Sequence, residues 1–503
     1  MKKMELWSKI TTGLLLLLCC IADVEGRMTK VDWANGEGIL LVGIGPDPEG
    51  LDPHLVVGTT EQNVLRALFE GLVRPDPKTL EPLPGVAERW NVSVDGRTYT
   101  FFLREGAKWS NGDPLTAEDF VFSFRRGLDK TLGTSAAEYL FALKNARSFY
   151  NGTVPFEQVG VRALDRTRLE LTLETPKPYF LSLLMMPAYY PVHAKTLEKW
   201  DGVRSRSNAW TKPGNLVSNG PFCLKSYVIG KEIEGVRNPH YWAPIALNGI
   251  RFYPVADVAT EERSFRNGRL HITECVPYAK LTVYANKEVS ELRLSPYLST
   301  SYYLLNIHLK PLDDLRVRKA LSLAIHRESL AGSDRMNVKH QSAVHLIPEG
   351  CGGFCSVAKV EEDPVRAQKL LAEAGFPGGK GFPKLKLFFN PSESQNYLAV
   401  AVQEMWKKNL GIEVELVNQE WKVYLSTRRN REFQIARGGW VGDYNDPETF
   451  LNLWESTSCN NFVGWSNAKF DQLLKESAET LDPAKRLLLL QEAEAILLDD
   501  MPL

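Results

Sequence analysis

The alternation of apolar and polar positions predicts a mixed α/β chain. Residues 38–44 are a nearly unbroken apolar run flanked by glycine and predict a buried strand. Thr60 is placed to cap a helix through Val64, Leu65, Leu68 and Phe69, which Gly71 ends. Residues 87–104 read as a hairpin, with Asp95-Gly96 at the turn and an alternating strand after it. Thr116 with Asp119 forms a capping box ahead of Phe120, Phe122 and Phe124, which makes Asp119 a capping residue rather than a catalytic acid. Residues 168–173 alternate cleanly as a half-buried strand stopped by Pro176 and Pro178. The apolar run 180–190 belongs to a core, and residues 218–222 make a tight turn into another strand. From about residue 299 the period lengthens to αβ alternation, a candidate lobe boundary. Helices are predicted there over 315–327, from Asp363-Pro364 to Gly375, over 397–410, and from Asp482-Pro483 through Leu498. A strand, 412–417, follows Gly411.

One stretch concentrates chemistry. A short strand over 432–436, with Phe433 and Ile435 alternating, runs into Arg437, Gly438, Gly439, Trp440, Gly442, Asp443 and Tyr444; an amphipathic segment, 448–454, follows. The pattern predicts that the strand ends at 436 and that a glycine-rich loop lies where open α/β folds bind ligands. Gly438, Gly439 and Gly442 would allow close backbone approach. Trp440 and Tyr444 would wall a pocket, with Arg437 holding a carboxylate and Asp443 an ammonium. Such a pair suits a zwitterion such as a peptide. Two simpler roles compete: Arg437 in a structural ion pair, and Asp446 as the N-cap of a helix with Pro447 at its first position.

A length of 503 residues exceeds one ordinary core and implies two or three lobes. A net charge of -1 argues against a nucleic-acid partner, which calls for a basic excess. Lys2, Lys3 and Lys9 precede the apolar residues 13–22, a run too short for a comfortable span and typical of a secretory signal cleaved after Ala22 or Gly26. A lipid anchor on Cys19 or Cys20 is the alternative fate. Export leaves Cys223, Cys275, Cys351, Cys355 and Cys459, an odd set whose pairing stays open. Cys351 and Cys355 are spaced for a small local disulfide or, with His340 and His345, for a metal site, although the spacing matches no common zinc module. No cofactor is expected. The chain contains neither a Gly-x-Ser-x-Gly elbow nor a His-Glu-x-x-His helix, so an enzyme is not expected either.

Trp90, Asp95-Gly96, Tyr99-Thr100-Phe101, Leu103-Arg104, Lys108-Trp109, Gly112, Ala117 and Asp119-Phe120 together resemble the signature of peptide/nickel-class extracellular solute-binding proteins of ABC transporters, most of all the oligopeptide binders. Leu51-Asp52-Pro53-His54, Phe69-Glu70-Gly71-Leu72, residues 218–222, residues 418–421, Gly439-Trp440 and Asp443-Tyr444-Asn445 extend the likeness over nearly all of the exported chain. The resemblance implies a two-lobed periplasmic-binding-protein fold with an extra domain, a hinge between lobes and a ligand cleft at their interface. It divides the chain into a signal (1–22), a first lobe (31–69 and 190–298), an extra domain packed on it (70–189) and a second lobe (299–503). It implies that Asp443 pairs with a peptide amino terminus and that Arg437 takes a carboxyl terminus. Trp421 and Trp440 would lie beside the ligand, with Gly439 and Tyr444 in the same matched stretch. The implied partners are short peptides and an ABC permease, for a monomer in the periplasm. Two departures stand out: some relatives have a basic residue where this chain has Gln395, and relatives continue past the last helix, so the end at Leu503 reads either as truncation or as a first lobe completed differently. The alternatives are the same fold holding a nickel chelate, haem, a sugar or a cell-wall peptide, or a truncated, non-functional receptor.

Overall fold

The computed structural model describes residues 28–503 except 57, 207–208, 286–290, 332–340 and 391–392. The signal segment, Cys19, Cys20 and His340 lie outside the described residues. Contacts divide the chain into two units. One comprises residues up to Glu70, Gly106–Leu115 and Val192–Pro277; the other comprises Gly71–Glu105, Thr116–Pro191 and Tyr278–Leu503.

The first unit is built on a four-stranded sheet ordered Ile39–Gly43, Gly249–Tyr253, Glu232–Arg237, Phe222–Val228, parallel in the first pair and antiparallel in the others. The apolar run does form its strand, because Gly38 at φ 66° ends helix Lys30–Glu37 and turns the chain directly into it. The tight turn before Phe222 is fixed by Asn219, which accepts from the Glu70 N–H at 3.1 Å and donates to its carbonyl at 2.7 Å.

In the second unit, a four-stranded antiparallel sheet contains the expected hairpin. Ala87–Val92 and Thr98–Leu103 are joined through Gly96 at φ 66°, and Arg168–Thr172 and Val161–Ala163 complete it. Both oxygens of the Thr116–Asp119 capping box are engaged, with Asp119 accepting from the Thr116 N–H at 2.7 Å. A second sheet is ordered Ser299–Leu305, Ile435–Val441, Leu385–Phe389, Val414–Asn418. Its first pair is antiparallel and the rest are parallel. A core lies on each face: Leu305, Ile435, Leu387 and Trp406 on one, Leu304, Ala436, Phe450, Trp454 and Leu490 on the other.

Several expectations need correction. The strand expected to stop at 436 runs on to Val441, because each of its residues pairs with Ser299–Leu305, from Ile435↔Leu305 to Val441↔Ser299. Its glycines therefore serve cross-strand packing, and Gly438, Gly439 and Gly442 all keep negative φ. A Cβ on Gly438 would lie 2.5 Å from the Tyr302 ring, and one on Gly442 would lie 2.5 Å from Leu298. Gly438→Ala is accordingly expected to destabilise the protein by about 1–3 kcal/mol, the usual cost of overpacking, as read by urea denaturation; an unchanged midpoint would refute the steric account.

The helix expected over 315–327 is Leu315–Leu323, and Arg327–Leu330 is a separate turn capped by His326, whose Nδ1 accepts from the Ser329 N–H at 3.1 Å. The last helix is Pro483–Asp500, capped by Asp482 and closed by Met501 in the left-handed region. Of the residues assigned to the extra domain, 71–105 and 116–189 group with 278–503, whereas Glu70 and 106–115 group with the first unit. Tyr179 stacks on Tyr444 and Tyr139 bonds to Asp443, which explains that grouping. Residues 106–115 stay with the first unit through Ser110 on Ser218 and Trp109 on His193.

Cys223, Cys275, Cys351, Cys355 and Cys459 are free thiols, so no disulfide closes the turn from Cys351 to Cys355. Among the described residues no cluster of metal-ligating side chains is present, and no helix is long and apolar enough to cross a membrane.

Candidate functional site

Asp443 sits just past the end of the strand Ile435–Val441. The Gly442 N–H donates to the Leu298 carbonyl at 2.7 Å as the ladder's last bond, and the Asp443 N–H then donates to Thr449 Oγ1 at 3.1 Å. Thr449 is buried on the short helix Glu448–Leu451, so it fixes where the loop turns. One Asp443 oxygen accepts from the Tyr139 hydroxyl at 3.4 Å. Burial pushes its carboxyl up to about 6, against the opposing pull of the Tyr139 hydrogen bond. Among the described residues no cation pairs with it. A half-buried carboxylate held by one phenol is a costly arrangement for an empty protein and a ready partner for an ammonium.

The rest of the loop is tied down. Tyr444 is buried, stacked on Tyr179 with centroids 4.5 Å apart and planes 5° from parallel, and its hydroxyl donates to Glu448 at 3.0 Å. Asn445 accepts from the Gly352 N–H at 2.9 Å. Asp446 accepts from the Glu448 N–H at 3.0 Å, so part of its expected capping role holds. Its main partner is different: Arg486, on the last helix, grips both of its oxygens at 2.7 and 2.8 Å.

Arg437 lies inside the strand, opposite Tyr303 and on the face of Ile435. Its Nη1 donates to Asn390 at 3.4 Å, while its Nε is buried without an acceptor. Burial lowers the guanidinium's pKa, and the like charge of Arg428 lowers it further, opposed by Tyr424. No described carboxylate pairs with Arg437 or Arg428, which disposes of the structural ion pair. Arg428 packs over the Phe462 ring at 4.3 Å. Tyr424 donates to the Arg437 carbonyl and stacks at 6.0 Å on Trp421, a residue that is 46% exposed. Trp421 and Arg437 are thus linked through a residue that sequence reading missed.

Trp440 belongs to the other face. It packs with Tyr302 against the core of Leu304 and Ala436, and its indole N–H reaches Thr449 Oγ1 at 3.4 Å. Strand alternation therefore separates it from Arg437. It lines, with Gly438, Gly439, Arg428, Asn460 and Phe462, a cavity of about 10 Å³, room for a single water. The structure thus brings Asp443, Trp440 and Tyr444 together around Thr449 and Glu448, and Arg437 together with Trp421. Tyr139, Thr449, Tyr424, Arg428, Asn390 and Arg486 carried no local signal in the sequence, apart from the i,i+3 spacing of Trp421 and Tyr424 on one helix.

The sequence matches the family described as bacterial extracellular solute-binding proteins, family 5 (middle), over residues 81–462. This chain belongs to that family. The periplasmic oligopeptide-binding protein of Salmonella typhimurium is 38% identical over 97% of this chain and 90% of its own. The periplasmic murein peptide-binding protein of Escherichia coli is 37% identical over 92% and 86%. Among solved structures, the Escherichia coli murein tripeptide-binding protein superposes with a TM-score of 0.79 at 35% identity, covering 92% of this chain and 91% of that one. The Haemophilus influenzae oligopeptide-binding protein in complex with RPPGFSPFR gives 0.77 at 32%, covering 93% and 92%. The expected α/β two-lobed solute-binding fold is borne out by these matches.

Proposed function

We propose that this solute-binding protein captures short peptides in the periplasm and delivers them to the permease of an ABC importer, without catalysing a reaction. One observation carries the reading: Asp443 is a half-buried carboxylate with no cationic partner among the described residues, beside a strand that also bears Arg437 without a carboxylate. The two are six residues apart, so at most about 20 Å separates them along an extended chain. A buried ion pair fixes register only when further hydrogen bonds complete it. Tyr139 supplies one such bond to Asp443 and Asn390 one to Arg437. Main-chain hydrogen bonding would then give affinity indifferent to peptide sequence, and bridging waters would tolerate varied side chains.

A cell-wall peptide is the second reading. Arg437 and Arg428, neither of which has a carboxylate partner among the described residues, favour a ligand with more than one carboxylate.

Native mass spectrometry of the exported chain, purified without added ligand, tests both. A ladder of heterogeneous short-peptide adducts is expected. One discrete mass carrying several carboxylates would favour the cell-wall peptide, and a single non-peptide adduct would overturn the proposal.

A further inference from the structure

An ionised carboxylate has two oxygens and about four acceptor positions. On Asp443, Oδ1 accepts from the Tyr139 hydroxyl, and the backbone behind the carboxylate is fixed by the bond from its N–H to Thr449. Tyr139 comes from a part of the chain 304 residues away, on the short helix Ala137–Leu140. That turn is itself anchored: Ala137 and Leu140 are buried, and the Tyr139 carbonyl accepts a hydrogen bond from the hydroxyl of the buried Tyr189. The phenol is therefore presented by a rigid support, and it has one proton to give.

The other charged groups around the loop are committed elsewhere. Arg486 from the last helix grips Asp446; Glu448 on the helix Glu448–Leu451 accepts from Tyr444; and Glu138, beside Tyr139, is exposed. Arg437 lies within the strand and bonds to Asn390. Tyr139 is the group among the described residues whose side chain bonds to Asp443. Burial and the Asp443 charge both raise the phenol's pKa, so it stays protonated and donating across the working pH range.

We propose that Tyr139 is a positioning residue for the ligand's ammonium group: its hydroxyl pins one oxygen of Asp443, leaves the other for the ligand, and favours the ionised carboxylate. The inference rests on the reading that Asp443 receives a peptide amino terminus, and it adds the residue that sets the carboxylate's orientation and acid strength.

The test is calorimetric titration of one peptide and of its N-acetyl form into the wild-type protein and Tyr139→Phe, from pH 5 to pH 7.5, where most of the peptide's amino groups are charged and their partial loss near pH 7.5 is common to both proteins. Melting temperatures measured alongside verify that the Phe variant is folded. Tyr139→Phe is expected to weaken binding of the free peptide about tenfold at pH 7.5, with the ratio to wild type growing as the pH falls. The sign follows from the bond: the phenol lowers the carboxyl's pKa, so its removal raises the pH at which binding is half lost. Binding of the N-acetyl peptide should change little. A wild-type/variant ratio that is flat across pH, or an equal loss for the N-acetyl peptide, would mean a merely structural tyrosine and overturn the proposal. A free peptide preferred by wild type and bound equally by Tyr139→Phe would sink the role of Tyr139 alone. An N-acetyl peptide bound as tightly as the free one by wild type would remove the ammonium reading itself, and the proposal with it.

Discussion

Arg486→Ala is expected to destabilise the protein by about 3–5 kcal/mol, the cost of stripping one partner from a buried ion pair. Arg486 is 4% exposed and Asp446 7%, and the guanidinium meets both carboxylate oxygens. The guanidinium also lies 5.8 Å from the Tyr179 ring centroid, so it ties the last helix to the stacked tyrosines as well as to the loop. Alanine would leave Asp446 charged, buried and held by the Glu448 N–H alone. If the stranded charge causes the loss, the double variant Arg486→Met with Asp446→Asn should recover most of it, because asparagine keeps an acceptor for Glu448 and brings no charge. Denaturant melts of the two variants decide the matter. Equal losses would show that the packing of the arginine, not its charge, is what matters. Since Asp446 lies three residues from Asp443, the single variant should also weaken ligand binding.

The elements that were legible in the sequence are those whose signals are local. Asp482-Pro483, Asp363-Pro364 and Thr116 with Asp119 cap their helices as expected, because a capping bond spans only two or three residues. The stretch 437–441 was misjudged for the opposite reason. Its glycines carry the composition of a turn, but what selects Gly438 is the ring of Tyr302 on the neighbouring strand, more than 130 residues away in sequence. Once that stretch is a strand, alternation sends Arg437 and Trp440 to opposite faces, a separation invisible until the pairing register is known. Asp443 was legible as a residue type in an unusual setting. Its surroundings were not: Tyr139, Thr449 and the Tyr179 stack come from three segments that only the fold assembles. Arg486 gave no signal at all, being one charged residue among several on a long helix.

Asp443→Asn should trade ligand affinity for stability. Losing the partner of a desolvated ammonium costs about 2–5 kcal/mol, roughly thirtyfold to several thousandfold in affinity. The loss should fall on peptides with a free amino terminus and spare N-acetylated ones. The unliganded protein should respond in the other direction. The folded-state pKa of Asp443, about 6, lies above the 3.8 of an unperturbed aspartate. A carboxyl raised in this way contributes stability that is fully present below pH 4 and is lost as the pH rises through 6. Two units correspond to about 3 kcal/mol. The wild type should thus lose stability between pH 4 and pH 7 by an amount that Asp443→Asn does not, and the variant should melt higher at pH 7.5 without ligand. Ligand reverses the sign, because an ammonium against the carboxylate favours its ionised form and binding near pH 5.5 must release a proton. Titrations in buffers of different ionisation enthalpy measure that release directly: a fraction of a proton for wild type and none for Asp443→Asn. Wild-type binding with no proton released at that pH would mean that the ammonium of the ligand sits elsewhere, whatever the variant does to affinity. The same burial that makes Asp443 a liability in the empty protein is what makes it selective when occupied, since a desolvated carboxylate gains most from a partner that brings its own charge.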